Sequence, residues 1–398
     1  MISRKLSDIE IDDIHELVSS GSRESLTLEY KQCLWTKTME LLKDISALAN
    51  ASGGDIVVGI TDNDGLPGEV VGISGAGLDQ KIAGYESQIQ NCIQPLLKVK
   101  IKAIKDTEET AVLVFRVPRS YQAPHLVTYD KNQRFYSRNN SGVQPMDIYD
   151  IRASVLQSEL LHNRVMSFHN ERIETLSTPP IQTDYPAKFI LHVIPLSSFA
   201  IRGARISAPE MERALSPIKS PNMDQGVETG RFNSDGYLRY LSSKKEEGCS
   251  PSYCQTFRSG VIEAVCSAYF GLASPNRVGA NLGTFPPKRC LEIVYESGVV
   301  GFISQCMEFY LKVEIPPPYI VQMSMTGVEG YMLGCDLGKH PPAERIDRAS
   351  VCLPDVIIED FDSDVAVTMK PVFDAVWNAF GHVGSTSYDE DGNFRPHR

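Results

Sequence analysis

No long hydrophobic run occurs in this chain of 398 residues. Its longest apolar stretches, such as 56–58 and 111–115, fall far short of the ~20 residues needed to cross a bilayer. The opening segment, Met1 to Asp8, runs into acidic residues where a signal peptide needs an apolar core. Together these absences lead to the expectation of a cytoplasmic protein without membrane contact. A disulfide framework is also missing: the cysteines number nine, an odd count scattered along a long chain, which fits buried thiols in a reducing compartment. Cys249 and Cys254 stand closest, but no His or further Cys lies near them in sequence, so ordinary buried thiols are preferred over a zinc site. No Gly-x4-Gly-Lys-Ser/Thr string occurs to cradle a triphosphate, and no ATP is expected. The 62–65 run opens like a calcium loop, yet Ile73 stands where its bidentate Glu would be. Repeats and low-complexity tracts are absent, and a net charge of −11 does not advertise a nucleic-acid partner for the molecule as a whole.

What is present is an ordinary globular composition, 42% hydrophobic and 22% charged, on a chain too long for one core. Helical spacing appears over 7–21, 37–50, 79–93, from 145 past 162, 299–313 and 370–380. Strand patterns appear over 26–31, 55–61, 70–73, 98–105, 111–117, in a hairpin over 125–137, and over 189–194. The segment 253–270 is expected to contain a helix. The resulting fold class is α+β: a domain over 7–155 with helices on a mixed sheet, a helix end and linker over 156–180 marked by Thr178-Pro179-Pro180, and a second α+β domain over 181–398. Between Pro95 and Asn140 there are nine Lys or Arg against four acids, a local excess of +5 that hints at phosphate contact through Lys98, Lys100 and Lys102. Those same lysines could instead be the solvated face of a strand.

One constellation could carry chemistry. On a strand, Glu29 and Lys31 share a face, putting a carboxylate beside an ammonium. Asp62 ends a strand that could lie alongside. Glu24, five residues before Glu29, cannot share its face and must come from the 21–25 turn. Three carboxylates converging on one divalent cation, with a lysine to steady developing charge, is an arrangement suited to phosphodiester cleavage. By residue type alone, solvated surface acids are the plainer reading. His125 after Pro124 could reach a phosphate or be a hydrogen-bonded structural histidine. Arg138, at the head of the polar run 138–141, could hold a nucleic-acid backbone or belong to a polar turn.

The strings Glu24-Ser25-Leu26-Thr27-Leu28-Glu29-Tyr30-Lys31, 44–50, and 53–62 (Gly-Gly-Asp-Ile-Val-Val-Gly-Ile-Thr-Asp) resemble the Schlafen-type AlbA-like domain. So do Val117-Pro118, Pro124-His125 and Phe135-Tyr136-Ser137-Arg138 followed by Met146 and Ile151. The likeness covers roughly 15–155, with several motifs in the right order. It implies metal-dependent RNA cleavage, including of tRNA, with Glu24, Glu29 and Asp62 as the acidic trio holding Mg²⁺ or Mn²⁺ and Tyr30-Lys31 as the aromatic-lysine pair. Ala47-Leu48-Ala49-Asn50 stands where the family usually has Phe at the second position. Schlafen cores of the animal type join two such lobes; this chain has one, so a comparable groove implies a homodimer. The zinc cluster of those cores has no counterpart here. The reading is therefore a metal-dependent endonuclease acting on RNA in preference to DNA, by family analogy in defence, with the second domain as sensor or dimerisation module. The alternative is a non-catalytic DNA- or RNA-binding regulator, since some bacterial relatives are known only in such terms.

Overall fold

The computed structural model describes every residue except 1, 3, 121, 140–141, 177–179, 200–204, 215–217, 220, 222–227, 242–248, 273–288, 335–343 and 397–398. The chain divides into two compact units, Met1–Asn163 with Asp360–Asp362, and Arg164–Glu359 with Ser363–Arg398.

The first unit is built on a mixed five-stranded sheet. Its elements are α1 (Ile11–Ser19), β1 (Leu28–Lys31), α2 (Thr38–Asn50), β2 (Gly54–Val58), β3 (Ile60–Asn63), β4 (Leu66–Val70), β5 (Ile73–Ser74), α3 (Leu78–Cys92), β6 (Ile93–Gln94), β7 (Lys100–Lys105), β8 (Thr110–Val117), β9 (Leu126–Tyr129), β10 (Asn132–Asn139), β11 (Gly142–Pro145) and α4 (Ile148–Thr175). The strand order is β1-β2-β8-β5, with β7 also on β8; β1 and β2 run parallel and the other pairs antiparallel. Both faces are covered, so the central strands read as unbroken apolar runs. Ile56, Val58, Leu113 and Phe115 pack with Leu41, Ile45 and Leu48 of α2. On the other face Leu28, Tyr30, Val57, Val112 and Val114 pack with Ile14 of α1. A second sheet, β11-β10-β9-β6, lies against α2.

Two short motifs fix these layers. Gly53 (φ +68°) lies where a Cβ would collide with the backbone nitrogen of Arg119, so the turn from α2 into β2 demands glycine. Asn50 closes α2 and ties it to the second sheet: its amide nitrogen donates to the carbonyls of Tyr136 (2.8 Å) and His125 (3.2 Å), and its oxygen accepts the His125 N–H (2.6 Å).

The second unit carries an eight-stranded antiparallel sheet in the order 228–232, 236–241, 252–257, 262–266, 188–195, 319–326 and 350–352, with 356–358 also on 319–326. Helix Tyr295–Lys312 covers one face, Tyr295 stacking on Phe189 at 5.1 Å and Tyr310 on Tyr319 at 4.5 Å. The other face holds a buried polar chain. Arg172 of α4 forks Glu263 (2.7 and 2.8 Å), and Glu263 accepts from His192 Nε2 (2.9 Å). His192 Nδ1 meets His169 Nδ1 at 2.7 Å, and His169 Nε2 meets the Ser324 hydroxyl at 2.8 Å. With Glu263 ionised, one arrangement of protons satisfies every atom of neutral imidazoles: Ser324 donates to His169, His169 to His192, and His192 to the carboxylate.

Two expectations are corrected. The segment 253–270 contains no helix but a hairpin of strands Ser252–Phe257 and Ile262–Cys266, turned at Gly260 (φ +89°); because both faces are buried, the period-two signal disappears. Helix α4 runs on to Thr175 and contributes to both units, so the helix end takes up most of 156–180. Thr178 and Pro179 lie outside the described residues. The basic strip also loses three of its nine cations to partners within the unit. Arg116 is 4% exposed and locked bidentate to the buried Asp55 (2.8 and 3.1 Å), Lys102 donates to the carbonyls of Ser7 and Ile9, and Lys100 pairs with Asp360 at 2.8 Å.

Candidate active site

Strand parity builds the site. Glu29 pairs in register with Ile56 and Lys31 with Val58, and both of those residues face α2, so the two side chains emerge on the side where α2 packs. There α2 presents Asp44. Lys31 Nζ lies 2.7 Å from Glu29 Oε1 and 3.0 Å from Asp44 Oδ2, and it stands 5.5 Å over the Trp35 ring, whose N–H donates to the same Asp44 oxygen at 2.7 Å. The other Glu29 oxygen, Oε2, accepts from Arg138 Nη1. Arg138 therefore stands on β10 rather than in a loop, and of the polar run after it Asn140 and Ser141 lie outside the described residues.

Glu24 comes from the turn, as its spacing requires. Its Oε1 accepts the N–H of Tyr30 (2.8 Å), and its own N–H donates to Gly65 (2.8 Å), at the tip of the β3–β4 hairpin. Asp62, exposed at that tip, accepts the Gly65 N–H at 2.7 Å. Asp62 and Glu29 are each close enough to act on Glu24. Burial raises the Glu24 carboxyl, the Tyr30 hydrogen bond opposes the rise, and the charges of Asp62 and Glu29 add to it. Asp44 is likewise raised, by burial and then by Glu29. Lys31 behaves differently: burial works against its charge, yet Asp44 and Glu29 more than offset it and the ammonium is held above its ordinary range. Tyr30 is pushed up to about 12 by burial and by Glu24.

The donor set suits a hard divalent cation by chemistry, since Glu24, Glu29 and Asp62 all offer oxygen and the last two crowd Glu24 with like charge. As the side chains stand, Lys31 and Arg138 neutralise Glu29 instead. Among the described residues no three His, Cys, Asp or Glu side chains form a ready-made cage.

The remaining expected binding residues fare unequally. His125 is fully buried, its Nδ1 on the Pro95 carbonyl at 2.7 Å and its basicity lowered by that burial, so its ring is out of reach of an outside phosphate. Lys100 and Lys102 have the internal partners given above, and Lys98 also has a partner. Asp44 and Trp35, which complete the site, were not singled out by sequence. The signal that could have found them is the return of α2 across the face that carries Glu29 and Lys31.

No curated protein matches the chain. A crystal structure of the DIP2311 protein from Corynebacterium diphtheriae is similar over 34% of this chain and 26% of its own, at 18% identity and a TM-score of 0.24, so the chain spans about a quarter of that protein's length. The family model described as Schlafen, AlbA_2 matches residues 24–147. Glu24, Glu29, Lys31, Asp44, Asp62 and Arg138 all lie within that span, and the first unit carries a domain of the Schlafen AlbA_2 family.

Proposed function

We propose that the first unit is a divalent-metal-dependent endonuclease acting on RNA, tRNA-like or otherwise single-stranded, in preference to DNA. The observation that carries this reading is the approach of Glu29 and Asp62, from a strand and a hairpin tip, to Glu24 in its turn, beside a lysine whose charge two carboxylates favour. Mg²⁺ or Mn²⁺ held by these carboxylates would supply Lewis-acid stabilisation of the scissile phosphate. The chain's own groups do the rest. Lys31, kept protonated by two carboxylates, cannot serve as a base and instead stabilises negative charge developing on the phosphate. Arg138 exchanges its contact with Glu29 for the phosphate, which frees a carboxylate oxygen as substrate arrives. The single lobe would form a groove as a homodimer, with the second unit as a sensor or dimerisation module in a defence effector.

A second reading follows from one contact set: both Glu29 oxygens already have cationic partners, as they would in a binding regulator whose acids are structural. Labelled tRNA, other RNA and single-stranded DNA, incubated with Mn²⁺, Mg²⁺ or EDTA, separate the two. The nuclease gives discrete products, lost in EDTA and reduced at least ~100-fold in Glu29→Gln and Asp62→Asn, as for loss of a transition-state charge contact. If both variants cleave like the parent, the assignment of these carboxylates is wrong. Binding without cleavage under every condition selects the regulator.

A further inference from the structure

Lys31 belongs to two places at once. On one side it holds Glu29; on the other it lines a cleft of about 280 Å³ between α2 and the β10–β11 hairpin, together with Trp35, Lys43, Arg134 and Tyr136. The charges around this cleft are unevenly matched. Its acids already have partners: Asp44 has Lys31 and the Trp35 N–H, and Glu40 lies 3.8 Å from Lys37. Two of its cations do not. Among the described residues neither Lys43 nor Arg134 pairs with a carboxylate, and Lys43 instead leans over the ring of Tyr136 at 5.6 Å. Arg134, Tyr136 and Arg138 alternate along β10 and share one of its faces, so the strand runs from the contact with Glu29 to the cleft over about 13 Å.

We propose that this cleft seats one nucleotide of a single-stranded nucleic acid, its phosphate on Lys43 and Arg134 and its base against Trp35 and Tyr136. The proposal rests on the nucleic-acid reading of the first unit and specifies where the strand lies beside the acidic site. The volume stands at the small end of ligand sites, enough for a nucleotide unit and too small for a dinucleotide cofactor. Unpaired cations beside aromatic rings are what single-strand recognition uses, because every base has a face to stack and every unit a phosphate to neutralise. A phosphate that draws Lys43 off Tyr136 uncovers that ring for the base. Lys31 touches both the cleft and Glu29, one of the acidic trio, so the seated nucleotide adjoins the acidic site.

The chain carries its own reporter. Its two tryptophans are Trp35, in the cleft, and Trp377, fully buried in the second unit. The full chain is titrated with a 12-nucleotide single-stranded RNA in EDTA, following both tryptophan emission and filter retention, and in parallel with AMP and UMP. The expected result is quenching that disappears in Trp35→Phe. Affinity should fall at least tenfold in the Lys43→Gln/Arg134→Gln double variant, whose salt dependence drops by roughly two phosphate contacts, and should largely survive in Arg134→Lys. Retention of RNA with no quenching, or with the double variant binding as tightly as the parent, overturns the cleft and leaves the nucleic-acid reading standing. Quenching by mononucleotides alone, lost in the double variant, keeps the nucleotide seat and removes the strand as its source. No response to any probe removes both.

Discussion

The buried chain in the second unit makes a pH dependence that can be worked out in advance. Burial, and then the neighbouring His192, lower His169 from 6.5 to about 4. A base weakened by folding is neutral in the native state but takes up a proton in the unfolded chain, so between these values unfolding binds protons and stability falls as the pH falls. At 1.36 kcal/mol for each tenfold change in proton affinity, the full effect is about 3 kcal/mol, of which about 2.5 kcal/mol is lost between pH 7.5 and 4.5. Glu263 does not interfere in that range. Burial alone would raise it, but the hydrogen bonds from Arg172 and His192 win and bring it down to about 2. Its stabilisation is complete above the unfolded carboxylate range and disappears only as the pH drops from about 4.5 toward 2. The experiment is urea unfolding at pH 7.5 and 4.5 in a Trp35→Phe background, where Trp377 alone reports on the second unit. His169→Gln keeps an amide for the hydrogen bonds but cannot take the proton. The variant should be less stable at pH 7.5 and lose about 2.5 kcal/mol less than its parent on acidification. A difference under about 1 kcal/mol would refute the reasoning, because it would mean that His169 is not held neutral by its surroundings.

Three further outcomes follow from the first unit. Asp55→Asn removes the partner of a buried Arg116 that also holds the carbonyls of Ile2 and Arg4, and should cost about 3–5 kcal/mol in chemical denaturation. Gly53→Ala places a Cβ against the backbone of Arg119 at a left-handed φ, and should lower stability by about 1–3 kcal/mol while leaving the partners of Glu29 in place. Glu24→Gln should have the opposite sign. A carboxyl whose value is raised by folding destabilises the native state as the pH climbs through that raised value, so the neutral amide should raise the melting temperature at pH 7 while abolishing metal-dependent cleavage. A melting temperature below that of the parent in Glu24→Gln would show that the turn needs the charge.

Much of the first unit is legible because its signals are local. A strand alternates, a helix repeats, and Gly-Gly ends one before the other begins. Leu28 to Lys31 therefore fell on its expected faces, and Glu24 on its expected turn. The hairpin at 252–266 was misread for a reason of the same kind. When Tyr253, Gln255, Cys254 and Thr256 are all buried, neither face of the strand is exposed, polar and apolar residues no longer alternate, and only the length of the run distinguishes strand from helix. The Ile148–Thr175 helix agrees with its expected start near 145 and its run past 162, but its end has no clear mark in sequence. Its early face exposes Ile148, Tyr149, Val155, Leu156 and Leu160, so the pattern faded where the helix continued.

Charge was the hardest feature to read, because a count of lysines and arginines says nothing about what each already holds. Arg116 belonged to the apparent basic strip by sequence and to a buried ion pair by structure. Lys102 caps backbone carbonyls. Lys43 and Arg134 are the reverse case: one lies outside the basic strip and the other within it, yet no carboxylate claims either among the described residues, and both line the same cleft. Arg138 lies between these cases, paired with a carboxylate that a metal ion would also claim. Two cations and a divalent ion cannot all neutralise one carboxylate. The state of Glu29 is therefore a competition: any ligand that takes Arg138 away raises the affinity of Glu29 for a cation, and by reciprocity a cation bound there releases Arg138 toward an anion. An acidic strand with a basic partner from the second sheet would couple metal and phosphate in this way without any change of fold.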